Sequence, residues 1–270
     1  MIRRWVLLVG LVLVLGACRS DRVELGYRYE PGTELNYQMV ARASSSWDIG
    51  GPGEGSYEAT FQVSEVVESA DDDGAVVSIS LNPTSIVEKG LPSPGSERRS
   101  FTLRVGPNGE VLEVITVDGV SAASLDPDQL VFIGTYRPAL ALEPVSLDDS
   151  WQSRQEVQVG PVFQQIVTLG TLESLDKDAE GAFARIGYRG EGPLTFTTTL
   201  PQGTAELTGS ATTTAVATLD LDQDFLRGSV STTEGDFEVR VVPAIGGVPV
   251  TGRLHLELDL ELEFLTRDRT

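Results

Sequence analysis

The strongest pattern in the chain lies near its end. Leu254, Leu256, Leu258, Leu260, Leu262 and Phe264 alternate with His255, Glu257, Asp259, Glu261 and Glu263. A period of two puts the first set on one face of a strand and the second on the other. The segment therefore predicts a long strand with one buried face and one acidic, wet face. Shorter runs rich in Val, Thr, Leu and Phe repeat this period between turn signals. They predict strands at 34–44, 56–68, 75–81, 100–105, 111–117, 153–159, 164–173, 182–188, 194–200, 204–221, 225–232 and 237–242. Pro107-Asn108-Gly109 is a tight-turn signal between two of them. One short helix is predicted over about 126–138. Asp126-Pro127-Asp128 supplies an N-cap, a proline at the first helical position and an acid in the first turn. Leu130, Val131, Ile133, Tyr136 and Leu140 would form its apolar face, and Pro138 would end or bend it.

The chain also carries a weak internal repeat. Phe61-Gln62, Val67-Glu68-Ser69, Asp71, Asp73 and Gly74-Ala75 are followed by Ile166, Leu172-Glu173-Ser174, Asp176, Asp178 and Gly181-Ala182 in the same order. Tyr37-Gln38 is echoed by Trp151-Gln152, and Thr102-Leu103 by Thr218-Leu219. Two similar β units, about 30–120 and 143–235, follow from this reading, with the helical segment between them. Chance likeness of two acidic hairpins is the alternative, because turn chemistry alone enriches Asp and Gly. Residues 236–265 have no counterpart in the first unit and are expected to add strands at one edge. The fold class is all-β, mainly antiparallel with one short helix, forming a curved sheet, half-barrel or barrel-like domain.

The first residues are of another kind. Met1-Ile2-Arg3-Arg4 is followed by an apolar run from Trp5 to Leu15 and then by Gly16-Ala17-Cys18. A positive start and an apolar stretch of this length match a secretory leader. The stretch is shorter than the roughly 20 apolar residues that a spanning helix needs. Leu15-Gly16-Ala17-Cys18 resembles the lipobox of bacterial lipoproteins. That resemblance implies cleavage between Ala17 and Cys18, a diacylglycerol on the Cys18 sulfur and stable anchoring by two or three acyl chains. It divides the chain into a signal peptide (1–17), a lipidated cysteine and tether (18–29) and a β domain (30–270). Arg19 follows the cysteine where an inner-membrane retention signal has Asp, which implies the outer membrane in a host with two. A plain secreted protein with a free thiol is the alternative. Tyr27, Pro31, Gly32, Leu35 and Tyr37, with the later run from Pro144 to Trp151, resemble an uncharacterised family of bacterial envelope lipoproteins, for which no activity is implied. A looser analogy is to the LolA and LppX lipid carriers, whose curved sheets wrap over helices around an apolar ligand. This chain offers one helix where those folds have several.

Composition narrows the function. Among 270 residues there are 20 basic and 40 acidic side chains, for a formal charge of −20. Such a chain is repelled by phosphates, which disfavours nucleic acid as a partner, and by anionic head groups, so the lipid rather than the protein surface should hold it at the membrane. One cysteine excludes a disulfide scaffold. The one histidine, His255, sits in the final strand among carboxylates, where the alternation already explains it. No zinc cluster, nucleophile elbow, P-loop or dinucleotide fingerprint is present, so no catalytic residue and no cofactor is assigned. Gly50 to Gly55 reads as a mobile loop. Asp176, Asp178 and Glu180, ahead of Gly181, resemble the start of a calcium loop. Position twelve is Gly187, so the closing bidentate glutamate is missing, and a polar hairpin turn explains them too. Ser69 to Gly74 and the trio Asp220, Asp222 and Asp224 read the same way. Trp151 is expected to plug the core, and Trp47 to offer an exposed contact. The expected function is a non-enzymatic, membrane-anchored envelope lipoprotein acting as an interaction or structural scaffold. A carrier of a lipid or other apolar ligand in the curved sheet is the alternative, and a calcium-dependent adhesion module a weaker one.

Overall fold

The computed structural model describes residues 22–89, 98–124, 137–159, 162–200 and 203–269. Twelve strands form one curved antiparallel sheet: β1 (Thr33–Trp47), β2 (Gly53–Asp71), β3 (Gly74–Lys89), β4 (Arg99–Val105), β5 (Val111–Val117), β6 (Val120–Ser121), β7 (Ser150–Val159), β8 (Val162–Lys177), β9 (Ala182–Leu200), β10 (Gly203–Asp220), β11 (Phe225–Pro243) and β12 (Val250–Arg269). Their order across the sheet is 6-5-4-3-2-1-12-11-10-9-8-7. Strands β6 and β7 stay unpaired to each other, so the sheet is a half-barrel, not a closed barrel. Among the described residues the only helical geometry is a 3-10 turn at Ala122–Ser124. The expected helix lies outside the described residues as far as 136, and Arg137 and Pro138 follow in non-helical backbone.

The order is that of two six-strand meanders laid side by side and joined where β1 pairs with β12. The ladders also carry a bulge at matching places. Register shifts leave Glu68 of β2 and Glu173 of β8 without a cross-strand partner on β3 and β9. Glu68 and Glu173 are the residues that the sequence repeat aligns.

Two expectations about the strands need correction. The C-terminal segment does not extend an edge: β12 lies in the middle of the sheet, paired with β1 on one side and β11 on the other. Alternation reports which faces a strand buries, not which backbone edges it pairs, so it could not place β12. The strands are also longer than read. β9 runs unbroken through Gly190 and Gly192, and β11 through Gly235. These glycines face the concave side, where they permit close approach and curling rather than ending the strand.

One end of the half-barrel is closed. A single core cluster draws Tyr37 from β1, Val63 from β2, Leu103 from β4, Leu172 from β8, Ile186 from β9 and Leu219 from β10, all essentially inaccessible. Strands so distant in the sheet order share a core only because the sheet curls. Two crossing segments complete the closure. Val23 pairs with Val145, the Tyr27 amide donates to the Pro107 carbonyl (3.3 Å), and the Arg28 amide donates to the Asp224 carbonyl (2.9 Å). The Leu140 amide donates to the Asn108 carbonyl (2.8 Å), and the Trp151 indole N–H to the Ala139 carbonyl (3.1 Å). Residues 22–29, expected to be tether, are thus part of the core, with Leu25 and Tyr27 buried. Their signal was present: Val23, Leu25, Tyr27 and Tyr29 alternate with Glu24, Gly26 and Arg28.

Candidate functional site

The concave face beyond the closed end is the candidate site. Register fixes what lines it. One row across the sheet reads Tyr57, Ala43, Leu258, Thr233, Thr213, Gly190, Thr168 and Ser153 from β2 to β7. The next row toward the open end reads Gly55, Ser45, Leu256, Gly235, Ala211 and Gly192. In these rows β12 supplies the large aliphatic side chain while the strands on either side of it, β1 and β11, supply small or hydroxyl groups. Small side chains let the sheet curl, and they leave a trough floored by leucine.

Burial marks the change along the trough. Leu262 at the closed end is buried, whereas Leu254, Leu256, Leu258 and Leu260 are only half-buried. A smaller cluster of Ala205, Leu207, Phe237 and Val239 packs near the open end, with Leu254 and Leu256 against it. Leu258 and Leu260 belong to neither cluster. Four hydroxyls on this face, Thr33 Oγ1, Tyr37 Oη, Tyr188 Oη and Ser45 Oγ, are buried without a hydrogen-bond partner among the described residues; Tyr37 and Tyr188 belong to the closed-end core, and Ser45 lies in the trough. An unpaired buried hydroxyl is costly, and Ser45 is one that an occupant of the trough could satisfy. Other hydroxyls pair among themselves, Thr213 with Thr233 (2.9 Å) and Ser153 with Thr168 (3.3 Å).

Both described tryptophans, Trp47 and Trp151, lie against glycine. Trp151 packs on the main core, over Gly170 across the β7–β8 ladder. Trp47 is half-buried at the open end against Gly53. Gly50 and Gly51 take positive φ in a hairpin turn, while Gly53 and Gly55 already belong to β2, so only part of the glycine run is loop.

The closed end hides an ion pair that sequence reasoning missed. Glu65 of β2 faces inward and bonds Arg137 from the crossing segment, with side chains 1% and 5% exposed. The guanidinium also lies 4.7 Å from the Tyr27 ring and 5.8 Å from the Tyr29 ring. Burial pushes the Glu65 carboxyl up, and Arg137 pulls it back only in part. Burial likewise pushes the Tyr29 hydroxyl up to about 12. A lone acid among the alternating valines Val63 and Val67 was the available signal for Glu65; nothing local marks Arg137.

The acidic turns neutralise themselves. Asp178 accepts from the Glu180 and Gly181 amides and from Arg227 (2.9 Å). Burial pushes the Asp178 carboxyl up, but those amides and Arg227 outweigh it and hold it below the usual range. Glu180 lies 3.8 Å from Arg227, and Asp176 accepts from the Ser174 hydroxyl (2.5 Å). Asp220 caps its own turn through the Asp222 and Gln223 amides and also binds Arg227, while Asp222 accepts from the Ala182 amide. Among the described residues no three His, Cys, Asp or Glu side chains converge as metal ligands would. His255 stands on the convex face beside Asp236 (2.9 Å). Ala17 and Cys18 lie outside the described residues. No described helix is long and apolar enough to cross a membrane.

No protein-family model matches the chain, and no curated protein does. Among solved structures it is similar to one of lipovitellin, described for its lipid–protein interactions, with 8% identity and a TM-score of 0.45. The match covers 90% of this chain and 26% of that one.

Proposed function

We propose that the protein is an envelope lipoprotein, held at a membrane through Cys18, whose trough shelters an apolar ligand of the acyl-chain class. The observation that carries this reading is the leucine stripe of β12, half-buried along the concave face, with Leu258 and Leu260 between the closed-end core and the smaller open-end cluster and packed into neither. Leaving several leucines half in water forgoes about 25 cal/mol for each Å² of apolar surface, which a chain laid in the trough would recover. The acidic face of β12 does not count against this, because it is the convex face and the ligand would meet the other. A purely scaffolding role leaves the stripe and the Ser45 hydroxyl beside it without an occupant.

Native mass spectrometry tests the proposal on residues 19–270, expressed through the envelope of a bacterial host. The expected result is an added mass of a few hundred daltons, lost on denaturation and extractable into organic solvent. A clean apo mass, together with no uptake of a fluorescent fatty acid by that protein, would overturn the carrier reading. The anchor has its own test: Cys18→Ser should release the full chain from membranes, and continued retention would sink it.

A further inference from the structure

The hairpin between β11 and β12 reaches beyond the open end and carries the two most exposed large apolar side chains among the described residues, Ile245 and Val248. From Pro243 to Val250 it contains no charge, in a chain that is 22% charged. Ile245 is 91% exposed and Val248 85%. The first charged residues met on leaving the tip are Arg240 on β11 and Arg253 on β12, both cations in a chain with twice as many acids as bases. The acids of the turns near 71–73, 178–180 and 220–224 gather at the closed end. Acids also stand near the arginines, Glu238 directly opposite Arg253 across the ladder. Glu206 bonds Arg240 (2.9 Å), and Asp48 accepts from the backbone amide of Arg253.

An aliphatic tip bounded by arginines is matched to a lipid surface. The aliphatic side chains enter the acyl region, and the guanidiniums lie at phosphate depth. The rest of this acidic molecule is repelled by such a surface, so the tip is the part that can approach it. The tip also continues into the trough. Val250, Gly252, Leu254, Leu256, Leu258 and Leu260 share one face of β12 and form an apolar track from the tip inward.

We propose that the β11–β12 tip is a bilayer-docking element that seats Ile245 and Val248 among lipid chains and passes a chain along β12. Its second half, the passage of a chain, rests on the carrier reading. The probe is a Val248→Cys form of residues 19–270, which has no other thiol, labelled with an environment-sensitive dye. The vesicles are phosphatidylcholine with a minor share of phosphatidylglycerol. The expected result is a blue shift and brightening at position 248, with no change for a label at Asp73→Cys at the closed end. Ile245→Ser with Val248→Ser should weaken vesicle binding at least about tenfold while leaving the unfolding temperature and any bound-ligand mass unchanged. A label at 248 that stays in water on saturating vesicles overturns the docking claim, as does a double variant that binds as the parent does. Docking by a protein that never carries lipid overturns the transfer half alone. Carried lipid without docking overturns this inference and leaves the trough reading standing.

Discussion

Replacing Arg137 by Met tests how the closed end is held. The change leaves the Glu65 carboxylate 1% exposed and without its counter-charge. Removing one partner of a buried pair costs about 3–5 kcal/mol. Loss of the guanidinium from above Tyr27 and Tyr29 adds about 1 kcal/mol. Against a typical total of 5–15 kcal/mol, R137M should lose a large share of its stability. The double change Glu65→Met with Arg137→Met removes both charges and keeps the volume, so it should lie within about 2 kcal/mol of the parent. Urea unfolding of parent, both single variants and the double variant closes the cycle. A sign in pH goes with it. In R137M the Arg137 charge no longer holds the Glu65 pKa down, so burial raises it further above its unfolded value of about 4.3. A raised acid contributes stability below its unfolded pKa and loses it as pH rises through the folded one. R137M should therefore approach the parent at pH 4 and fall furthest behind above pH 7. A loss under about 1 kcal/mol, or a double variant as unstable as the summed singles, would refute the reasoning.

The remaining predictions concern the trough and the acidic turns. Thr233→Phe fills the row beside Leu258 and should abolish bound-ligand mass with little change in unfolding temperature; retained ligand would place the site elsewhere. Calcium or a chelator should leave the unfolding temperature unchanged, because Arg227 already supplies the cation beside Asp178 and Asp220. A rise with calcium would reverse that reading. Arg227→Met leaves the 3%-exposed Asp220 side chain without its guanidinium and should cost about 2–4 kcal/mol by urea unfolding. An unchanged midpoint would show that the turn amides alone hold Asp220.

The faces of this protein were legible and its edges were not. Period two in β12 told which side chains point inward, because that depends on neighbours in sequence. The partner of β12 is decided by a register that spans the whole chain, with Leu258 beside Ala43 of β1, more than 200 positions away. Glycine misled for a related reason. Gly190, Gly192 and Gly235 read as breaks, since a local window cannot tell a turn from a glycine that lets a sheet curl. The trough has the same origin: its leucines were visible in the sequence, but the small residues opposite become a site only once four other strands stand beside them. Arg137 was invisible because its partner, Glu65, is brought to it by the fold alone.

The two ends of the molecule differ in a way that bears on how it would work. The described chain starts at Arg22, and Val23 is already fixed at the closed end by its pairing with Val145. Three residues separate Cys18 from Arg22, four steps along the chain with a reach of about 14 Å at most. The β12 strand, with 20 residues, runs on the order of 65 Å from that end to the tip. With Cys18 lipidated as proposed, anchor and docking tip stand at opposite ends. Lying flat to bring both to one bilayer would press the acidic convex face against its head groups, which is unfavourable. The protein should instead stand up and engage a second surface. Full-length lipidated protein in one set of vesicles should then capture a second, protein-free set, and Ile245→Ser with Val248→Ser should abolish capture. Without capture, and with the 248 label buried in the vesicle that holds the anchor, both ends would share one membrane and the upright arrangement would be wrong.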